Sequence, residues 1–295
     1  MHSQTQGISS VRLEAEIGRR HAPDFAWPTI CLALALYAIF AASTSLAIAG
    51  TIPLWVGAVV NTAFIYSLYT VVHDAAHYSI SSRTKHLRWV DTFVGAIACI
   101  PLWLFLGHHR KSHRVHHART NCDDDPDIYA RGSFLGWCFI RLPRVLLSYF
   151  NPVQLHRECR KFGVSAHGTR IAMLTFAGYT AAVVALIAAG YFYQLLVLWF
   201  IPWWIGQFVM LTLFTWTPHH DHHETGRYRN TRVSLWPGAN FLLLGQNFHL
   251  IHHMIPSVPF YRYKAAFEEM RPILEEKDVR FEGFWPSPTP RPTPA

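Results

Sequence analysis

Fourteen of the chain's 19 histidines fall in four short groups: 73 and 77, 108–117, 219–223 and 249–253. Three of the groups have the spacing of a helix face. In HDAAH, His73 and His77 stand at i and i+4. HRVHH presents His113, His116 and His117 at i, i+3 and i+4, and HLIHH repeats the pattern with His249, His252 and His253. Side chains so spaced project together, a few ångströms apart. Three such helices facing one point would surround it with eight imidazoles, a metal-binding constellation. Imidazole suits zinc, copper, iron and nickel. None of the five cysteines lies in these groups, which argues against thiolate zinc and iron–sulfur centres. Eight or nine nitrogens exceed the four that one tetrahedral zinc uses, which points to two metals. A dinuclear imidazole site beside hydrocarbon suggests oxygen chemistry on a lipid, and hence iron.

The hydrocarbon is inferred from the elements that must hold these residues. No Asp, Glu, Lys or Arg occurs between Asp24 and Asp74, nor between Arg170 and Asp221. Each gap can hold two crossings at roughly 20 residues apiece. AGTIP (49–53) and GYFYQ (190–194) supply the breaks. The chain is therefore expected to be an all-α integral membrane protein. Four transmembrane helices (30–49, 54–72, 171–190 and 195–217) form two hairpins, joined by interfacial helices and a cytoplasmic histidine-rich, metal-binding cap. If both turns face one side, every charged residue lies on the other, in segments 1–26, 73–170 and 219–295. The excess of Lys and Arg, 26 against 18 Asp and Glu, assigns that side and both termini to the cytoplasm, as of a bacterial inner membrane. The net charge of +8 then reflects topology and anionic lipid rather than nucleic acid.

Between the hairpins, FVGAIACIPLWLFL (93–106) is too short to cross. As a helix it reaches roughly 21 Å against a hydrocarbon core of roughly 30 Å. A re-entrant or interfacial segment fits, and it returns the chain to the histidine side. Residues 134–150 suit a helix lying in the membrane interface, or an amphipathic helix packed on the cytoplasmic part. A cytoplasmic N-terminal segment (1–26), one domain over 27–283 and a disordered Pro-rich tail (284–295) complete the division. The odd, scattered cysteines suggest no disulfide framework, and no removable signal peptide is evident.

Taken together, HDAAH, HRVHH and HLIHH resemble the boxes of the membrane-bound histidine-box oxygenases, which include fatty acid desaturases, lipid hydroxylases and carotenoid-modifying enzymes. The likeness runs from about Val71 to about Phe267. The run GRYRNTRVSLWPGANFLLLGQNFHLIHHMIPSVPFYRY (226–263), with TPH (217–219) and DPD (125–127), looks like the cyanobacterial-type β-carotene hydroxylases.

The resemblance implies a di-iron centre that activates O2 against a lipid C–H bond. It carries the ligand role onto His73, His77, His113, His116, His117, His249, His252 and His253. A ninth ligand is expected just after the last crossing, where His219 stands, although His220, His222 and His223 crowd the same place. His108 and His109 fall outside the HxxHH spacing and read as interfacial or supporting residues. Metal-bound imidazoles donate their other N–H to a carboxylate or carbonyl, and Asp74, Asp125, Asp127 and Asn247 are candidates for that role. With neither a cytochrome b5 HPGG motif nor a CxxC pair in the chain, electrons are expected from an external carrier such as ferredoxin. The substrate expected first is a carotenoid ring, to be hydroxylated. The alternative is a fatty acyl chain, to be desaturated or hydroxylated. A non-catalytic metal-binding protein is the distant third, since transport would call for ligands inside the crossings, which offer only Asn61, Gln207 and hydroxyl residues.

Overall fold

The computed structural model describes residues 2–220 and 223–284, with the side chains of 2–9 outside that description. The expected Pro-rich tail lies outside the described residues from position 285 onward. Helix α1 (His2–His21) leads into α2 (Trp27–Ile48) and α3 (Leu54–His77). A sharply bent pair follows, α4 (Arg88–Leu102) and α5 (Leu106–Arg119). Next comes α6, which runs from Phe134–Gly136 through a π turn, Trp137–Arg141, into Leu142–Ser148. Helix α7 (Pro152–Lys161) precedes α8 (Ala166–Ala188) and the long, twice-widened α9 (Phe192–His219). Short α10 (His249–Met254) and α11 (Tyr263–Glu276) close the chain.

Four of these, α2, α3, α8 and α9, are long and apolar enough to cross a membrane. They match the four expected spans, with one instructive difference. Helix α3 does not stop at 72 but continues to His77, where Tyr78 turns into the left-handed region (φ 58°). Helix α9 likewise runs on to His219. His73, His77 and His219 therefore ride on these long apolar helices themselves, and helix rigidity fixes their direction.

Helices α3 and α9 run parallel in close contact. Near the interhelical turns, the Asn61 amide donates to the Leu198 carbonyl (2.7 Å) and to Thr44 Oγ1 (3.0 Å), and it accepts from Ser43 Oγ (2.6 Å). Leu198 lies in a π turn (Leu196–Phe200); a polar side chain that serves such a carbonyl is what hydrocarbon requires. Midway, Gly206 lets the helices touch, because a Cβ there would meet Ile65 at 2.7 Å and the Thr62 carbonyl at 3.0 Å. Both hairpin turns thus sit at one end of the bundle and the histidines at the other.

The segment expected to turn back, 93–106, spans the end of α4 and the break before α5, and the two helices are bent by 96° to one another. Pro101 and the left-handed Trp103 (φ 55°) end α4, which leaves carbonyls that the helix no longer serves. Helix α9 serves them: Trp199 Nε1 donates to Pro101 (3.0 Å), while Trp203 Nε1 (2.9 Å) and Gln207 Nε2 (3.0 Å) donate to Leu102. Helix α6 covers the stretch expected to be helical, 134–150, to within two residues of its end. It buries Trp137, Leu142 and Leu146 and exposes Phe139 and Leu147, and Trp137 Nε1 donates to Thr212 Oγ1 on α9 (2.9 Å).

Two features depart from the sequence expectation. The N-terminal segment is helical and docks on α11, with His21 and Arg20 both reaching Glu269 at 2.7 Å. The all-α description also gains a two-residue parallel pair, β1 (Val233–Ser234) with β2 (Phe281–Glu282). Beside it the buried Arg232 and Glu282 pair at 2.6 Å. Apolar packing follows this division, with one core among the crossing helices and α4–α6 and another beneath α10 and α11.

Candidate metal centre

The end of α3, helix α5, the end of α9 and α10 converge on one buried point. Their histidines sort into two groups of four, each with ligand-capable atoms within 4.8 Å of one another. One is His73, His77, His113 and His252; the other is His116, His219, His249 and His253. Each box contributes to both groups except HDAAH, which serves only the first. His117 lies at their junction, its Nε2 3.3 Å from that of His113 and its ring stacked on His253 at 4.2 Å. All nine histidines expected from the sequence are thus brought together. Among the described residues, the crowded histidines near 219 differ in position. His219 is buried in the second group, His220 stacks on Trp216 at 4.0 Å, His223 is exposed, and His222 lies outside the described residues.

The donor chemistry fits metal. Nε2–Nε2 separations are 3.0 Å for His73–His252 and 3.1 Å for both His219–His249 and His249–His253. Ligands held at about 2.1 Å from one ion stand roughly 3.0–3.4 Å apart. The outward-facing nitrogens supply an independent test. Nδ1 of His116 points at Asp125 Oδ1 (2.8 Å), of His249 at Gln246 Oε1 (3.2 Å), of His253 at Thr120 Oγ1 (3.3 Å) and of His252 at the Tyr263 hydroxyl (2.9 Å). Thr120 already gives its own hydrogen to the His116 carbonyl (2.7 Å), so it accepts from His253. A proton on Nδ1 leaves the Nε2 lone pair inward, the tautomer a metal needs. Burial, reinforced by neighbouring imidazoles, holds the protonation of His249, His252 and His253 well below the ordinary range, and neutral imidazole is the ligating form.

The expected supporting residues divide. Asp125 takes its role, its carboxylate also accepting from the backbone N–H groups of Asn121 (2.9 Å) and Asp127 (2.9 Å). Asp127 stands 3.7 Å from His116 Nδ1, and burial pushes its carboxyl up. Asp74 does something else: it accepts from Thr29 Oγ1 (2.7 Å) and the Phe260 N–H (3.2 Å), tying α3 to α2 and to the segment before α11. Asn247 is corrected to Gln246. A one-residue offset turns Asn247 toward the Ser234 carbonyl (3.0 Å), and its neighbour faces His249. Gly245 sets that offset, since its φ of 81° and a Cβ–Phe260 oxygen distance of 2.6 Å admit no side chain. Tyr263 and Thr120 were missed altogether. Arg110 donates to the Ala75 carbonyl (2.9 Å) at the end of α3. His109 stacks on His113 at 5.4 Å outside both groups, and His108 lies 3.2 Å from Glu158.

Next to the centre opens a cavity of about 440 Å³. Tyr69, His113, Asp127 and Thr215 line both it and the space between the histidines. Its other walls combine Arg144, Lys161 and Glu158 with Trp103, Leu104 and Phe105.

Comparison with known proteins identifies the frame. Residues 49–285 match the family described as fatty acid desaturase. The chain is 25% identical over 258 residues to the sn-1 oleoyl-lipid 12-desaturase of Anabaena variabilis, covering 77% of this chain and 71% of that protein. It is 25% identical over 288 residues to a chloroplastic omega-6 fatty acid desaturase of Brassica napus, covering 83% and 60%. Against the sn-1 acyl-lipid omega-3 desaturase (ferredoxin) of Synechocystis it is 25% identical over 247 residues, covering 74% and 67%. All three are named for acyl chains. The expected closer likeness to β-carotene hydroxylases gains no support from them; it rested on the run at 226–263 and two tripeptides, TPH (217–219) and DPD (125–127), whereas these matches extend over most of the chain.

Proposed function

The chain belongs to the fatty acid desaturase family, and on that premise we propose that it is an O2-dependent, di-iron membrane oxidoreductase that places a double bond in an acyl chain. The observation that carries the reading is the pair of buried four-histidine groups opening onto a cavity with both apolar and charged walls. Reduced iron held there supplies the activation of O2 that removal of two unactivated hydrogens demands. Overall, the two hydrogens, O2, two electrons and two protons leave as two waters.

The chain's own residues do the rest. Asp125, Gln246, Thr120 and Tyr263 hold four imidazoles in one tautomer and one orientation. Asp127, half-buried between cavity and centre, holds a proton at its carboxyl more readily than a surface aspartate does. Trp103, Leu104 and Phe105 keep water from the apolar part of the cavity, while Arg144 and Lys161 suit the polar end of an acyl lipid. An external carrier supplies the electrons, in keeping with the ferredoxin in the Synechocystis relative's name. We place the histidine end and both termini on the cytoplasmic side, because the sequence keeps every charged residue out of the stretches 25–73 and 171–220, and the charge outside them has a basic excess. Residues 27–283 form one functional unit.

Expression in a bacterium that makes both acyl lipids and β-carotene tests this. A new acyl double bond with untouched carotene, and about two irons per chain in purified protein, is the expected result. Hydroxylated carotenoid with an unchanged acyl profile would overturn it in favour of the likeness at 226–263.

A further inference from the structure

The cavity beside the histidines has a neighbour. A second, almost wholly apolar space of about 570 Å³ lies among α2, α8 and α9, lined by Phe40, Tyr179, Val183, Leu198 and Trp199. Each space is within the size range of small-molecule sites. Among the described residues, Trp103 alone lines both.

Three properties of Trp103 are unusual together. It holds a left-handed backbone (φ 55°), which disfavours bulky side chains. Its ring is almost wholly buried among Phe150, Tyr179, Trp199 and Phe176, with centroids at 5.1–6.0 Å. Its indole N–H is buried without a hydrogen-bond partner, whereas those of Trp199 and Trp203 nearby each find a carbonyl. A buried indole normally secures such a partner. Neither backbone preference nor hydrogen bonding accounts for tryptophan here. What the side chain supplies is volume, at a place that borders both spaces.

We infer that Trp103 is the specificity-determining partition of this site: it ends the room available to the methyl end of an acyl chain lying past the metal centre, and its removal joins the apolar groove to the substrate cavity. The inference rests on the acyl reading above. The occupant of the joined groove is the distal part of the same chain, since the groove is continuous with the substrate cavity once the indole is gone and has almost no polar atoms to satisfy.

Trp103→Gly is the natural probe, because glycine relieves the left-handed backbone while removing the ring. Trp103→Phe keeps most of the bulk and guards against misreading a folding defect. Full-length protein in membranes is given acyl lipids from lauroyl to arachidoyl, and also fatty acids of graded length with a photoreactive diazirine at the methyl end. In wild type, turnover should fall sharply beyond one chain length, and crosslinks from the longest probe should avoid α8 and the start of α9. In Trp103→Gly the preference for longer over shorter chains should rise about tenfold or more, and crosslinks should move to Val183 and Leu198. Trp103→Phe should keep the wild-type limit. Acyl turnover with the same limit and the same crosslinks in Trp103→Gly overturns the partition and leaves the function intact. If no variant turns over acyl lipid, the function fails, and the crosslinks alone decide the partition: movement supports it, and no movement sinks it.

Discussion

The two four-histidine groups share the second and third boxes but are supported differently. In the group of His116, His219, His249 and His253, three outward nitrogens face acceptors, one of them the buried Asp125 carboxylate. In the group of His73, His77, His113 and His252, the acceptor identified is the Tyr263 hydroxyl on His252, and the buried Nδ1 of His73 has no partner. The difference follows from where the histidines sit. His73 is buried near the end of α3, facing the neighbouring helices, where any acceptor would have to come from another helix. His116 lies over the 120–127 turn, whose backbone folds a carboxylate back beneath it. A carboxylate behind an imidazole makes it a stronger and better-oriented ligand. Two metals in one centre would thus be gripped unequally, the one facing Asp125 more firmly.

The most severe way to break this asymmetry is to remove a ligand. His252→Ala should abolish turnover and cost the first group its iron, whereas His249→Ala should do the same to the second group. Iron counts with Mössbauer spectra would separate the two, and retention of two irons by either variant would remove that histidine from the site. Asp125→Asn should come next, lowering affinity for the more firmly held iron by about 10–100-fold. A chelator titration should then show the two irons leaving together instead of in sequence. Acid acts on both groups at once, because α10 supplies both. His249, His252 and His253 protonate in the fold only well below the usual value, so below about pH 6.5 the unfolded chain binds protons that the metal-free fold does not. Stability of the metal-free protein should therefore hold above that pH and fall below it, by about 1.4 kcal/mol per pH unit for each such histidine; a flat melting temperature from pH 7.5 down to about pH 5.5 would contradict their burial. The smallest effect should come from Tyr263→Phe, which removes a neutral acceptor worth about 0.5–1.5 kcal/mol. It should speed iron loss from the first group only.

The sequence made the ligands legible because i, i+3 and i+4 spacing is local and helices convert it directly into a shared face. The four long apolar helices were legible for a similar reason, since uncharged runs of that length stand out whatever they pack against. What the spacing could not report was which residue receives each outward nitrogen. Gln246 rather than Asn247 faces His249 because of a glycine turn one residue earlier, and Tyr263 reaches His252 only once α11 folds back. Thr120 serves His253 across 133 positions of sequence. Asp74 looked like support for His73 because it is adjacent in the chain, yet on a helix adjacent residues diverge, and it faces α2 instead. The helical N-terminus and the β1–β2 pair escaped notice because neither has a periodicity strong enough to mark it. The run at 226–263 shows the converse: a local likeness named a substrate that the chain-wide comparison does not support.

One further consequence concerns the π turn at Thr212–Trp216, directly before His219. The Thr212 carbonyl in that wider turn accepts from Thr217 Oγ1 (2.9 Å), so the widening is chemically settled where it stands. Such a turn holds one residue more than an α turn, and each residue of an α-helix corresponds to about 100° of rotation. Excising a single residue there would leave the membrane-embedded half of α9 undisturbed while swinging His219 to another azimuth. The turn works like a vernier: it lets the angular setting of a ligand be chosen independently of the packing of the helix that carries it.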